Sequence, residues 1–282
     1  MGIYVKNSST WTPPKAIYVK NSGSWASAKN VYINDSGFWY PMFTTYAITA
    51  SSSNLNLYTA LGSPTSPVTA VVTINSGVTI SGGSSASYAL NITGFPSGSL
   101  IYLVNNGTIV GKGGNGGARV SGAGGQGASK PGLPGGTAIY TRSTLYIENN
   151  GTIAGGGGGG GGGGRTNRGG QAYDDYTGAG GGGAGTNPGA GGTGLDQCGG
   201  APAGTATTGG NGVIYCSNGG SGEQQYGSVG GNGGSLGQPG ARGLPNPDYD
   251  GTNLGGAAGN AIDGISYTTK LTAGTILGPE VN

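Results

Sequence analysis

Short runs of alternating apolar and polar residues punctuate this chain, the clearest being Val68 to Ile80 and Leu100 to Ile109. A period of two is the pattern of strands with one buried face. Ile101 to Gly111 is repeated 44 residues on by Leu145 to Gly155, and Val72 to Gly82 is a degenerate relative. Within the two close copies, Asn106-Gly107 and Asn150-Gly151 predict tight turns at which glycine supplies a positive φ. Between about Gly111 and Gly259 the alternation gives way to glycine at nearly every second or third position, including ten consecutive glycines from Gly155 to Gly164. Ala138-Ile139 and Ala261-Ile262 each follow a glycine run and open a strand-like segment. The chain is therefore expected to leave a β base, run through glycine rods and return to the base more than once, with a last strand near Thr275 to Leu277.

The N-terminus carries a second repeat, of 14 residues. Ile3 to Trp11 aligns with Ile17 to Trp25 and Val31 to Trp39, so Trp11, Trp25 and Trp39 share one repeat position. Tyr4, Tyr18 and Tyr32 share another. Each unit reads as a β-branched strand, a turn and a short return that carries the tryptophan. Three hairpins in about 43 residues bury little surface without a staple or a partner. The favoured reading is a face for a partner, with a pseudo-threefold unit suited to the blunt end of a homotrimeric fibre. A small self-contained β unit and a set of Trp platforms for sugars are the alternatives.

Glycine without side chains folds only by pairing backbone with backbone. The polyproline II helix has three residues per turn and no internal hydrogen bonds, so its N–H and C=O groups need neighbours or water. Glycine lets such helices approach closely, and many glycine runs joined by loops predict a bundle of parallel and antiparallel polyglycine rods. Low-complexity disorder is the competing reading, given 69 glycines and 14 prolines in 282 residues. The threefold spacing of Gly111, Gly114 and Gly117, a net charge of only +2 and 16 tyrosines argue against it. Collagen is excluded because no Gly-X-Y period persists. The expected fold is mostly β and irregular, with almost no α-helix. It divides into an attachment unit at 1–43, a β region at 44–110, a glycine-rich bundle at 111–260 with a β insertion at about 137–154, and closing strands at 261–282.

Composition narrows the function classes. Only 8 % of residues are charged and no basic cluster interleaves with aromatics, which leaves nucleic-acid binding without an electrostatic footing. No run of 18 apolar residues suggests membrane insertion, and the first residues lack the charged and apolar regions of a signal peptide. With no histidine there is no triad or His metal site. No catalytic residue, metal site or cofactor is expected, and the chain is read as a non-enzyme. Cys198 and Cys216 are the only cysteines and could form one disulfide or stay as two thiols.

Tyrosine sits in the loops between the rods: Tyr173, Asp174 and Tyr176 in one, Tyr215, Tyr226 and Tyr249 in others. Tyrosine among Ser, Gly, Asn and Asp is the composition of a recognition surface, since the ring offers large contact area at low entropic cost. Capping of rod ends is the alternative for the same residues. A glycan depolymerase would need two carboxylates about 5 to 9.5 Å apart, one with a raised pKa. Asp174 with Asp175, or Asp248 with Asp250, could form a pair, but adjacent aspartates in such loops are usually solvated turn residues. An ice-binding face and a tail or baseplate component without receptor binding are further alternatives.

The tryptophan-bearing N-terminal repeat, followed by glycine segments that alternate with variable loops, resembles the adhesins at the tip of long tail fibres in T-even-like bacteriophages, and related glycine-rich tail-tip proteins. The resemblance implies a polyglycine II bundle whose distal loops bind a receptor on the bacterial outer surface, an outer-membrane protein or lipopolysaccharide. It also implies that one copy caps a trimeric tail-fibre protein. By position, Trp11, Trp25 and Trp39, with Tyr4, Tyr18 and Tyr32 of the same units, fall to fibre attachment. Tyr173, Asp174, Tyr176, Tyr215, Tyr226 and Tyr249 fall to receptor loops. The expected location is the virion, at the fibre tip, after synthesis in the host cytoplasm.

Overall fold

The computed structural model describes residues 43–118, 130–163, 178–192, 201–212, 229–243 and 254–282, together with the backbone of six short strands between Val5 and Pro41. These six pair two by two, antiparallel. Val5–Asn7 lies against Thr10–Thr12, Tyr18–Asn21 against Ser24–Ser27, and Tyr32–Asp35 against Phe38–Pro41. The repeat is kept in register: Trp11, Trp25 and Trp39 stand opposite Lys6, Lys20 and Asn34. Tyr4 lies outside the described residues.

From Thr44 onward the strands build three parallel sheets of five strands each. Successive strands along the chain go to successive sheets, so the backbone winds as a three-sided solenoid of five coils. The first coil is Thr44–Ile48, Ser52–Ser53 and Leu55–Asn56; the second is Thr69–Ile74, Thr79–Ser81 and Leu90–Ile92. The third is Leu100–Asn105, Thr108–Val110 and Ile139–Thr141; the fourth is Thr144–Asn149, Thr152–Ala154 and Ile262–Asp263. The last is Thr268–Thr272, Thr275–Leu277 and Glu280–Val281. Residues 44–110, 137–154 and 261–282 thus contribute to the same sheets. Among the described residues, helix is limited to Leu57–Ala60 and a 3-10 turn at Ile265–Tyr267.

Alternation explains why these segments become strands and which way they face. In Thr69–Ile74 and Leu100–Asn105 every second residue is buried, because the inner face of each sheet looks into the lumen and the outer face into water. Parallel pairing in register stacks like on like. Val72, Leu103 and Ile147 form one inward ladder, Ile80, Ile109 and Ile153 a second, and Leu90, Ile139 and Ile262 a third. All nine are at most 1 % exposed. Each such side chain stabilises the fold by about 1.5–3 kcal/mol relative to its exposed state.

The Asn-Gly pairs differ from the sequence expectation. Neither Gly107 nor Gly151 has a positive φ, and the flanking strands do not fold back on each other but turn a corner into the next sheet. Glycine is needed there for close approach. A Cβ on Gly151 would meet the carbonyl oxygen of Gly107, and one on Gly107 that of Val78. The corner is held by the preceding asparagines, Asn105 and Asn149, both buried. Asn105 Nδ2 donates to Asn149 Oδ1 at 2.8 Å, and Asn149 Nδ2 donates to the carbonyls of Ala273 and Thr275. The Val72 to Gly82 alignment also needs adjustment. Thr79 does pair with Thr108, but Val72 pairs with Leu103, because the second coil turns this corner with two extra residues.

Candidate functional site

Two excursions leave the solenoid at one corner, after the second strand of the third coil and after the second strand of the fourth, and return at the third strand. Both start as continuations of the second sheet: Gly111 N–H donates to Ala154 O and Gly155 N–H to Leu277 O. The described parts of these excursions are ten extended segments. The first excursion is 111–118 and 130–136. The second is 155–163, 178–185, 189–192, 201–205, 209–212, 229–234, 238–243 and 254–260.

These segments are joined by backbone hydrogen bonds with a period of three. From 155–163, residues 156, 159 and 162 donate to 136, 133 and 130, while 157, 160 and 163 donate to 184, 181 and 178. Residues 158 and 161 donate to 238 and 241. The same segment accepts from 114 and 117, from 256 and 259, and from 231 and 234. It is therefore bonded on all sides, and it is buried along its described length. Segment 178–185 is placed alike, donating to 111–118, 229–234 and 201–205 and accepting from 155–163, 189–192 and 209–212. The two inner segments are nearly pure glycine because every direction from the backbone is taken. A Cβ on Gly159 would fall on Asn115 O, one on Gly160 on Gly231 O, and one on Gly182 on Gly189 O.

Outer segments keep one free direction, and there side chains return. In 111–118 the non-glycines are Lys112, Asn115 and Ala118, every third residue. Asparagine at this rim replaces a missing neighbour: Asn115 Oδ1 accepts from Ala190 N–H at 3.0 Å, and Asn232 Oδ1 from Gly212 N–H at 2.7 Å. Asn187 ties the bundle to the solenoid, with Nδ2 donating to Gly82 O at 2.9 Å. No sequence signal set these asparagines apart beyond their place beside glycine.

The two ends of the bundle differ. At the solenoid end the segments are joined by brief turns, such as Thr205 to Thr208 and Ser235 to Gln238, closed by bonds between Thr205 N–H and Thr208 O and between Gln238 N–H and Ser235 O. At the other end the chain departs and re-enters at Ala118 and Lys130, Gly163 and Gly178, Gly192 and Ala201, Gly212 and Val229, and Gly243 and Leu254. These positions share one level: Gly163 N–H donates to Gly178 O, Gly162 N–H to Lys130 O and Ala201 N–H to Gly192 O. Tyr173, Asp174 and Tyr176 (within 164–177), Tyr215 and Tyr226 (within 213–228) and Tyr249 (within 244–253) lie outside the described residues, as do Cys198 and Cys216. Their flanking residues all stand at the end away from the solenoid. Leu254, at this end, and Leu133, midway along the neighbouring segment, are about half exposed.

Elsewhere a polar cluster lies on the outer face of the third sheet. Tyr88 and Tyr140 stack at 4.1 Å, the Arg142 guanidinium lies 4.2 Å over the Tyr140 ring, and Arg142 pairs with Asp263 at 2.9 Å. Partial burial, then the neighbouring Tyr140, raises the Tyr88 phenol pKa, and the hydrogen bond to Asp263 raises that of Arg142. Each group is satisfied by another within the cluster. Among the described residues no group of three or more His, Cys, Asp or Glu could hold a metal ion, and no helix is long and apolar enough to cross a membrane.

Residues 43–281 match the family model described as phage tail fibre adhesin Gp38. The chain belongs to the phage tail fibre adhesin Gp38 family. No curated protein matches it. Among solved structures it is similar to the gp37-gp38 adhesin tip complex of the bacteriophage S16 long tail fiber, at 24 % identity over 85 % of this chain and 83 % of that chain, with a TM-score of 0.58. At that identity the likeness is one of fold. Membership of the family makes the protein a bacteriophage adhesin of the tail fibre, and hence a virion component.

Proposed function

We propose that this adhesin binds a bacterial outer-surface receptor, an outer-membrane protein or lipopolysaccharide, through the segments carried at the far end of the bundle. Tyr173, Asp174, Tyr176, Tyr215, Tyr226 and Tyr249 supply the contact. The observation that carries the reading is the convergence of five departure points on one end of a backbone-locked array. In this reading the rods are polyglycine II helices, a reading supported by the threefold period of their hydrogen bonds. They order the ends of each segment before contact and so lower the entropic cost of binding. Several fibres per particle raise a weak single-site affinity by avidity. No catalytic step, cofactor or metal enters this mechanism.

Residues 1–43 then seat one copy on the end of a trimeric fibre protein, through Trp11, Trp25 and Trp39 with Tyr4, Tyr18 and Tyr32. The register that places the three tryptophans alike supports this, as does the partner named in the S16 complex. The chain is made in the host cytoplasm and joins the virion at the fibre tip.

The test replaces 164–177 and 213–228 by Gly/Ser segments of equal length. Host adsorption should fall at least tenfold while thermal unfolding of the purified chain is unchanged; full adsorption by such particles would refute the receptor assignment. Removal of residues 1–43 should abolish incorporation into particles and leave the remainder folded.

A further inference from the structure

The coil at the end of a solenoid has no neighbour on one side, so its lumen and its strand edges need their own closure. In the last coil the inward positions change chemistry. Lys270 stands in register beside Ile147, and Glu280 beside Ile262, where both isoleucines are fully buried. Ile276, beside Ile153, continues the apolar ladder of the second sheet. Lys270 belongs to the first sheet and Glu280 to the third, yet Lys270 Nζ lies 3.0 and 2.7 Å from the two carboxylate oxygens of Glu280. The pair therefore spans the mouth of the lumen, with side chains 35 % and 26 % exposed. Beside it the edge strand shifts register opposite Ile147 and Glu148. Tyr267, Leu271 and Leu277, in or next to the strands of this coil, are exposed.

We propose that Lys270 and Glu280 form a polar plug that prevents a second copy of this chain from adding its strands to the open edge. Among the described residues no further strand pairs with the last strand of any of the three sheets, and the same coil carries exposed apolar side chains, which makes the edge a template for strand pairing. A solenoid of the same cross-section is the matching partner, and another copy of the chain supplies one. Covering the end would strip water from an ion pair, a penalty that can exceed the mutual attraction of the charges. The register shift disrupts the ladder that an incoming strand would have to extend.

Sedimentation of the full-length chain tests this. The native protein and K270E/E280K, which keeps the pair reversed, should sediment as single chains across the concentration range. K270I/E280I continues the isoleucine ladders to the edge and should form a concentration-dependent species of at least twice the mass. The plug is refuted if K270I/E280I keeps the single-chain mass at every concentration. It is equally refuted if that variant fails to fold, since the lumen of the preceding coil accepts isoleucine at both places, or if the native chain or K270E/E280K associates as K270I/E280I does.

Discussion

The solenoid and the bundle are built from one chain by opposite means. In the solenoid, side chains stack into apolar ladders along the lumen and the strands follow from their alternation. In the bundle, the inner segments have almost no side chains, and cohesion comes from amides and carbonyls that repeat every third residue. The contrast concerns tolerance. A ladder of isoleucines accepts a smaller apolar residue at modest cost, whereas at inner glycines such as Gly159, Gly160 and Gly182 one added carbon already meets backbone. The outer segments, with one free direction, accept Lys112, Asn115 or Leu133 where Gly159 accepts nothing. Substitution is therefore best tolerated at outer positions whose side chains make no bond to a neighbouring segment.

The most severe way to break this comparison is Gly159→Val, which should destabilise the bundle by at least about 3 kcal/mol, since the new side chain meets backbone that has nowhere to move. Faster amide exchange at 155–163 would report it. Leu133→Val on the outer face should leave that exchange nearly unchanged, and equal effects from the two would remove the distinction between inner and outer segments. Next, Ile109→Ala in the solenoid should cost about 3 kcal/mol and Ile109→Val about 1 kcal/mol in urea unfolding. A smaller loss, about 2 kcal/mol, is expected for Asn149→Ala, which removes the donor to the carbonyls of Ala273 and Thr275 and leaves the Asn105 amide only its bond to Thr152 O. The smallest change runs the other way. The Ser52 hydroxyl is buried with no partner among the described residues, at the position that pairs with Ile80, so Ser52→Ala should raise stability by up to about 1 kcal/mol in thermal unfolding.

Much of this organisation was legible in the residues, and the limits have physical causes. The 44-residue repeat marked the third and fourth coils because parallel strands in register place Ile101 beside Leu145. The threefold glycines at 111, 114 and 117 marked one face of an extended rod. Closure into a three-sided solenoid was not legible. Its third sheet uses strands as short as Ile262–Asp263 and Glu280–Val281, too brief to show a period. Ile262–Asp263 is also parted from Ala154 by the whole second excursion. The Asn-Gly pairs misled because a hairpin turn and a solenoid corner both favour glycine, one for its φ and the other for its lack of a Cβ. At the candidate site, the position of the rods was readable from glycine spacing. The level at which they end was not, since it depends on which rods are neighbours.

Because each excursion starts and finishes at the same corner of the solenoid, it must contain an even number of rods. Any lengthening of the array proceeds in out-and-back pairs, and every pair brings one more segment to the far end. The number of connections made at the far end and the width of the array are thus tied together, so more connections come only with a stouter stem.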